Sequence, residues 1–232
     1  MFDNLGQQIY STLVQDDRWQ LFVSGLGNTL LITLVAVVLG VIIGALVAIA
    51  KVNAVYNRHW KWVAVICDVY TTIIRGTPVV VQLLIMYYIV FASAKTDMAV
   101  YVAALTFGIN SGAYVSEIIR AGIMSIDRGQ MEAGRSLGLS QGMTMSYIIF
   151  PQAIKNVLPA LGNEVITLFK ETSIVGYVAV ADLTRVAEMI RSRTWSPFVP
   201  LFFIAAVYLG IVMLLTWALR KMEARLAQSD VR

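Results

Sequence analysis

The stretch Leu21–Ala50 reads LFVSGLGNTLLITLVAVVLGVIIGALVAIA and contains no charged residue. Arg18 precedes this apolar run and Lys51 follows it directly. At about 1.5 Å rise per residue, a helix over this run exceeds the roughly 20 residues that a bilayer crossing requires. The run therefore predicts a transmembrane helix and an integral membrane protein.

The composition of the whole chain agrees with a membrane protein. Hydrophobic residues make up 58% of the chain and charged residues only 14%, whereas about a quarter of the residues of soluble proteins are charged. Asp3, Asp16 and Asp17 precede the first run, and an acidic start before so long a run argues against a cleaved signal peptide. The net charge of +4 comes from basic residues beside the apolar runs, so we assign it to cytoplasmic loops and not to nucleic-acid binding.

Further apolar runs predict an all-α fold with about five transmembrane helices. Gly76 and Pro78 predict a kink or break in the second helix, because proline cannot continue the hydrogen-bond ladder of a helix. No separate soluble domain is evident, so we treat residues 1–232 as one transmembrane domain. The predicted spans cover about 21–50, 62–92, 98–120, 144–172 and 197–219.

The loop charges predict the orientation of these spans. With five spans, the basic residues after the first and third spans and those of the C-terminal tail fall on one side, while the acidic N-terminus falls on the other. Positive loops lie in the cytoplasm, so the N-terminus is predicted outside and the C-terminus inside. Counting residues 62–94 as two spans would place the arginine-rich stretch 120–135 outside, which favours five.

Two stripes of small residues predict close helix packing, within the chain or between subunits, since small side chains let helix backbones approach. The stripes consist of Ala36, Gly40, Gly44 and Ala48 on the first span and of Gly108, Gly112 and Ser116 on the third.

A cytoplasmic loop at about 121–150 follows the third span. Within it, EAGRSLGL over 132–139 is typical of a short amphipathic helix with Ala133, Leu137 and Leu139 as its apolar patch. Gly138 can adopt the positive φ that ends a helix, and Ser140 can cap the next one. Such a helix fits a groove on a cytoplasmic partner or the membrane surface.

This loop resembles the EAA loop of the permease subunits of bacterial ABC importers. Glu132, Ala133, Gly134, Gly138 and the later Ile148-Ile149-Phe150-Pro151 keep the spacing of that signature, with Gly134 and Phe150 as its two departures. The resemblance implies that the loop forms a coupling helix. The implied ATPase-coupling residues are Glu132, Ala133, Gly134, Arg135, Leu137, Gly138 and Leu139.

The rest of the chain is similar to permeases of polar amino acids such as histidine, arginine and glutamine. The similar segments include Arg75–Leu84 and Leu158–Glu164. The resemblance implies a type I importer fold in the bacterial inner membrane, working with a cytoplasmic ABC ATPase dimer, an extracytoplasmic substrate-binding protein, and a second permease copy or a paralogous permease. No GxxxxGK[ST] motif occurs, so this chain cannot itself cradle nucleotide phosphates in a P-loop. We expect no cofactor in this chain and expect ATP and Mg to bind the ATPase.

Charged residues inside the spans are candidates for the amino-acid pathway, because each costs at least about 2.5–3.5 kcal/mol in hydrocarbon. Arg75 is expected to meet the α-carboxylate, and Glu164 or Glu117 the α-ammonium. Asn163, Thr77 and Gln82 are expected to add hydrogen bonds. The alternative is structural pairing, of Arg75 with Asp68 or Glu164 and of Glu117 with Arg120.

Two other classes of function compete with the importer. An ATP-independent secondary amino-acid transporter or channel also uses broken helices with buried charges, but it has no reason to carry an EAA loop. A membrane enzyme is disfavoured, since we find no nucleophile–base pair and no metal-ligand cluster. The one histidine, His59, lies in a basic loop.

Overall fold

The computed structural model describes residues 5–228, and these are helical along nearly their whole length with no β-strand among them. The prediction of an all-α fold is therefore confirmed. The helices are α1 (Leu5–Ile9), α2 (Arg18–Tyr56), α3 (Lys61–Gly76), α4 (Val79–Ile85), α5 (Ala99–Met124), α6 (Arg128–Ser136), α7 (Gln141–Thr144), α8 (Phe150–Glu171), α9 (Leu183–Thr194) and α10 (Phe198–Gln228).

Three helical segments are long and apolar enough to cross a membrane unaided, and they contain α2, α5 and α10. The bent pair α3 and α4 adds a fourth candidate span. The predicted span at 144–172 is also helical, as α8 preceded by a π-helical turn at Met145–Ile149, but it is less apolar than the other three. A helix with polar residues at membrane depth needs protein or a water-filled cavity beside it.

The break predicted at Gly76 and Pro78 is present. Helix α3 ends at Gly76, Thr77 is extended with φ −121° and ψ 144°, and Pro78 has φ −63° and ψ 134°. The chain bends by 104° here before α4 begins at Val79. Proline drives the preceding residue out of the helical region, which explains why the extended residue is Thr77.

The described chain divides into two compact units. The first combines residues up to Val37, Pro78–Gly108 and Ile166–Thr216. Its largest core packs Phe107, Leu83 and Leu168 around Ile32, and a second core packs α9 through Val186 and Ile190.

The buried carboxylate of Asp182 caps α9 in the first unit. Its oxygens accept from the backbone N–H groups of Thr184 and Arg185, each at 3.0 Å. Burial raises the pKa of the Asp182 carboxyl, and these N–H groups oppose the shift. The cap fixes the start of a helix whose outer side carries exposed Arg185, Arg191 and Arg193.

The second unit combines Val38–Thr77, Ile109–Val165 and the chain from Trp217 onward. Here the small residues of α2 pack against α5. A Cβ added at Gly40 would lie 2.8 Å from Ser111 Oγ, and one at Gly44 would lie 2.5 Å from Val115 Cγ1. These two positions of the predicted stripe therefore serve packing within the chain.

Candidate functional site

The segment that resembles a coupling loop forms α6 and the turn after it. Asp127 caps the helix by accepting from Gly129 N–H at 2.6 Å. The helix ends through Gly138, whose φ is +86°. Ser140 then caps α7 by accepting from Met143 N–H at 3.2 Å. Both predicted helix ends are confirmed, while the helix itself begins earlier than the Glu132 expected from sequence.

One face of α6 is packed against the rest of the second unit. Gly134 is buried, and a Cβ added there would lie 2.5 Å from Cγ2 of the fully buried Thr144. Met131 packs against the core formed by Val52, Ile123, Ile149 and Ala153. The tight contact with Thr144 explains why glycine stands where the EAA signature has its second alanine.

The opposite face of α6 is open. Glu132, Ala133 and Arg135 are exposed, and the side chain of Leu137 is 81% exposed. Leu139 is partly buried. An exposed apolar residue flanked by charges is typical of a surface that receives a partner protein.

Arg75 and Glu164 both contact α5 in the second unit. The guanidinium carbon of Arg75 lies 5.4 Å from the centroid of the Tyr114 ring, within cation–π range. Ser111 Oγ donates to Glu164 Oε1 at 2.9 Å. Ser111 and Tyr114 are three residues apart and therefore share one face of the helix. The structure thus places the predicted cation and the predicted carboxylate against neighbouring turns of α5.

Glu117 occupies a separate ionic network. Its Oε1 accepts from Lys51 Nζ at 2.7 Å, and its Oε2 accepts from Arg120 Nη2 at 2.9 Å. The expected pairing of Glu117 with Arg120 is confirmed. Asp68 pairs with Lys51 at 2.9 Å, so the alternative pairing of Asp68 with Arg75 was wrong.

The three polar residues expected to add hydrogen bonds to the amino acid belong to three different helices or helix ends. Thr77 Oγ1 donates to Ile73 O at 2.9 Å, at the end of α3. Asn163 is exposed on α8, where its Nδ2 donates to Pro159 O at 3.3 Å. Gln82 lies on α4 in the first unit.

Sequence reasoning missed Tyr114, Ser111 and Lys51. Tyr114 and Ser111 carry no charge and lie in an apolar run, so only the fold reveals what they touch. The sequence assigns Lys51 to a cytoplasmic loop because it directly follows the apolar run. Since α2 continues to Tyr56, Lys51 is a helix residue and is 9% exposed.

The described residues contain no cluster of three or more histidine, cysteine or acidic side chains able to hold a metal ion. The prediction of no metal site stays a prediction, since a metal site can also form between subunits.

Comparison with known proteins gives a consistent result. Residues 36–228 match the family described as binding-protein-dependent transport system inner membrane component. A putative glutamine transport system permease of Rickettsia bellii is 41% identical over 208 residues, which cover 89% of this chain and 93% of the relative. The arginine transport system permease ArtQ of Bacillus subtilis is 38% identical, with 89% and 92% covered.

Solved structures agree with the sequence relatives. A chain from the crystal structure of an amino acid ABC transporter with histidines has a TM-score of 0.84 and 41% identity, covering 97% of this chain and 99% of that one. A chain of the MetNI methionine ABC transporter in an inward-facing conformation has a TM-score of 0.76. At 18% identity, that second match shows the fold alone.

Proposed function

Because this chain belongs to the family of inner membrane components of binding-protein-dependent transport systems, we propose that it is the permease subunit of an ABC importer for a polar or basic amino acid. The observation that carries the proposal is the family match over residues 36–228, which includes α6 with its exposed outer face. The permease supplies the membrane pathway, and partner subunits supply the energy.

The cytoplasmic partner in this proposal is an ABC ATPase dimer. Glu132, Ala133, Arg135 and Leu137 present charges and one exposed apolar side chain on a helix whose other face is fixed by Gly134. A rigidly held helix can pass a displacement of its partner into the membrane domain. ATP and Mg bind to the ATPase, because the chain has no phosphate-cradling GxxxxGK[ST] sequence.

The other partners in this proposal are a substrate-binding protein outside and a second permease, either another copy or a paralogue. The loop charges support an N-terminus outside and a C-terminus in the cytoplasm. That orientation puts α6 on the ATPase side and α9 on the side from which the binding protein delivers its amino acid.

The substrate groups in this proposal are Arg75 and Glu164. The exposed Arg75 guanidinium has donors to spare while it stacks on Tyr114, which suits an α-carboxylate. Glu164, partly buried and bonded to Ser111, suits the α-ammonium. Glu117, which meets Lys51 and Arg120, is the other carboxylate proposed for the ammonium.

The test is ATP hydrolysis by the complete complex in proteoliposomes. The complex contains this permease, its ATPase and its binding protein, and the binding protein is loaded with each amino acid in turn. We expect one amino acid to stimulate hydrolysis and to accumulate inside the vesicle. Glu132→Lys is expected to abolish the stimulation by reversing a charge on the docking face.

The matched control is Asp97→Lys, the same change of sign at an exposed position before α5. It should behave as the unaltered complex does. Amino-acid transport by the permease alone, without ATP and unaffected by Glu132→Lys, would overturn the importer assignment in favour of a secondary transporter.

A further inference from the structure

Lys51 is a buried cation that joins three helices of the second unit. Its Nζ lies 3.0 Å from Thr71 Oγ1 and 2.9 Å from Asp68 Oδ1, both on α3, and 2.7 Å from Glu117 Oε1 on α5. Lys51 itself lies on α2. An ammonium group has three N–H donors, and these three acceptors use all of them. The contacts therefore fix α2, α3 and α5 relative to one another at one point.

The same contacts lie one to two helical turns from the proposed substrate groups. On α3, Thr71 precedes Arg75 by four residues, so the two share a face of the helix. On α5, Glu117 follows Tyr114 by three residues. Arg75 contacts Tyr114, and both Thr71 and Glu117 contact Lys51. The two sets of contacts therefore lie on successive turns of the antiparallel helices α3 and α5. Movement of α3 against α5 at Lys51 therefore displaces Arg75 relative to Tyr114.

Val52, the next residue after Lys51 on α2, lies in the core against which α6 packs. Val52 belongs to the cluster with Ile123, Ile149 and Ala153, and Met131 of α6 packs against that cluster. Two consecutive residues of α2 thus face both regions: Val52 lies in the core against which α6 packs, and Lys51 contacts α3 and α5. Packed cores pass displacements on because they resist compression.

The network also reaches the surface of the unit. The side chains of Asp68 and Arg120 are 65% and 42% exposed, and they line a cavity of about 370 Å³ with Lys51 and Glu117. The cluster holds two cations and two carboxylates, so it is balanced in charge. Charges that are paired in this way are tolerated when partly buried, whereas removal of one partner is costly.

We propose that Lys51 is a positioning residue that couples movement of α6 to the position of Arg75. This inference rests on the proposed function, since it requires an ATPase at α6 and an amino acid at Arg75. Lys51 touches neither the amino acid nor the ATPase. It acts by passing movement of α6 and its core, through α2, to α3 and α5.

The test uses the complete complex with the double variant Lys51→Met/Asp68→Asn. This variant removes one charge of each sign and leaves Glu117 paired with Arg120, so no carboxylate loses its last cation. We expect a complex that assembles normally, in which the ratio of hydrolysis with loaded binding protein to hydrolysis without it falls on the order of tenfold. A residue with a purely structural role would lower assembly and leave that ratio unchanged.

Lys61→Met is the matched control, because Lys61 is exposed at the start of α3. It should keep the ratio of the unaltered complex. An unchanged ratio in an assembled double variant would overturn the inference and leave the importer assignment intact. If the unaltered complex itself shows no stimulation by any amino acid, the proposed function fails first.

Thr71→Val decides the question if the double variant does not assemble. It removes one of the three acceptors of Lys51 and keeps both ion pairs. A reduced ratio in this variant supports coupling through Lys51. A ratio equal to that of the unaltered complex contradicts it.

Discussion

At the residue scale, the environment of Arg75 tells what the side chain can do. Exposed and stacked on Tyr114, it keeps its donors available, and a planar guanidinium binds a carboxylate through two parallel hydrogen bonds. We expect Arg75→Ala to raise the KM for uptake roughly tenfold to hundredfold, which corresponds to about 1.5–3 kcal/mol for bonds to a charged group. The measurement is radiolabelled amino-acid uptake by assembled complexes.

Arg75→Lys should show a smaller rise in KM than Arg75→Ala, because lysine keeps the positive charge but lacks the planar pair of N–H donors. Lys61→Ala, at an exposed position at the start of α3, is the control and should leave uptake unchanged. Normal uptake by an assembled Arg75→Ala complex would remove Arg75 from the pathway.

Gly134 gives a second prediction at this scale. Alanine gains about 1 kcal/mol over glycine in a helix, but here its Cβ would lie 2.5 Å from Thr144 Cγ2, and overpacking costs about 1–3 kcal/mol. We expect Gly134→Ala to be harmful when Thr144 is present and better tolerated with Thr144→Ala. Thermal unfolding of the four complexes in a double-mutant cycle measures this.

The interaction energy from that cycle should exceed about 0.5 kcal/mol, the value typical of residues in contact. Additive effects of the two changes would mean that Gly134 and Thr144 do not touch.

At the scale of the elements, the contact of α2 with α5 depends on glycine at the crossing. An alanine Cβ at Gly44 would lie 2.5 Å from Val115 Cγ1 and 2.9 Å from the backbone nitrogen of Ser116, which cannot move aside. We expect Gly44→Ala to lower the melting temperature and the yield of the complex.

The control lies on the same helix. A Cβ added at Gly27 meets nothing within 4 Å, so Gly27→Ala should be neutral or slightly stabilising. Equal melting temperatures for the two variants would contradict the packing seen here.

The α3–α4 break shows how one local rule acts at this scale. Thr77 and Pro78 interrupt an apolar region that would otherwise be one long helix. The break leaves backbone groups without helical partners, and in a membrane these need protein or water beside them. Arg75 lies two residues before the break, so the exposed guanidinium and the interrupted backbone occur together.

At the scale of the whole molecule, the prediction concerns orientation. In a Cys67→Ser background, which lacks cysteine, Ser192→Cys on α9 and His59→Cys in the loop before α3 are both exposed positions. Membrane-impermeant maleimide applied to intact cells should label the first and not the second. Permeabilised cells should show label at both, and the opposite pattern in intact cells would invert the topology.

The sequence by itself determined the class of this molecule. Runs such as Leu21–Ala50 are too long and apolar for a soluble fold, and the turn signals at Pro78, Gly138 and Ser140 act through local backbone geometry. Local rules of this kind need no knowledge of distant residues. The spaced pattern from Glu132 to Pro151 likewise gave the family, which the comparisons confirm.

Only the tertiary structure decided which side chains meet. The partners of Lys51 lie 20 and 66 residues away along the chain, at Thr71 and Glu117, and no periodicity within one helix encodes such a contact. Arg75 lies against the ring of Tyr114 because helix crossing and register set its neighbours. Local composition fixes that a helix forms and where it ends, while contacts between helices depend on how all of them pack together.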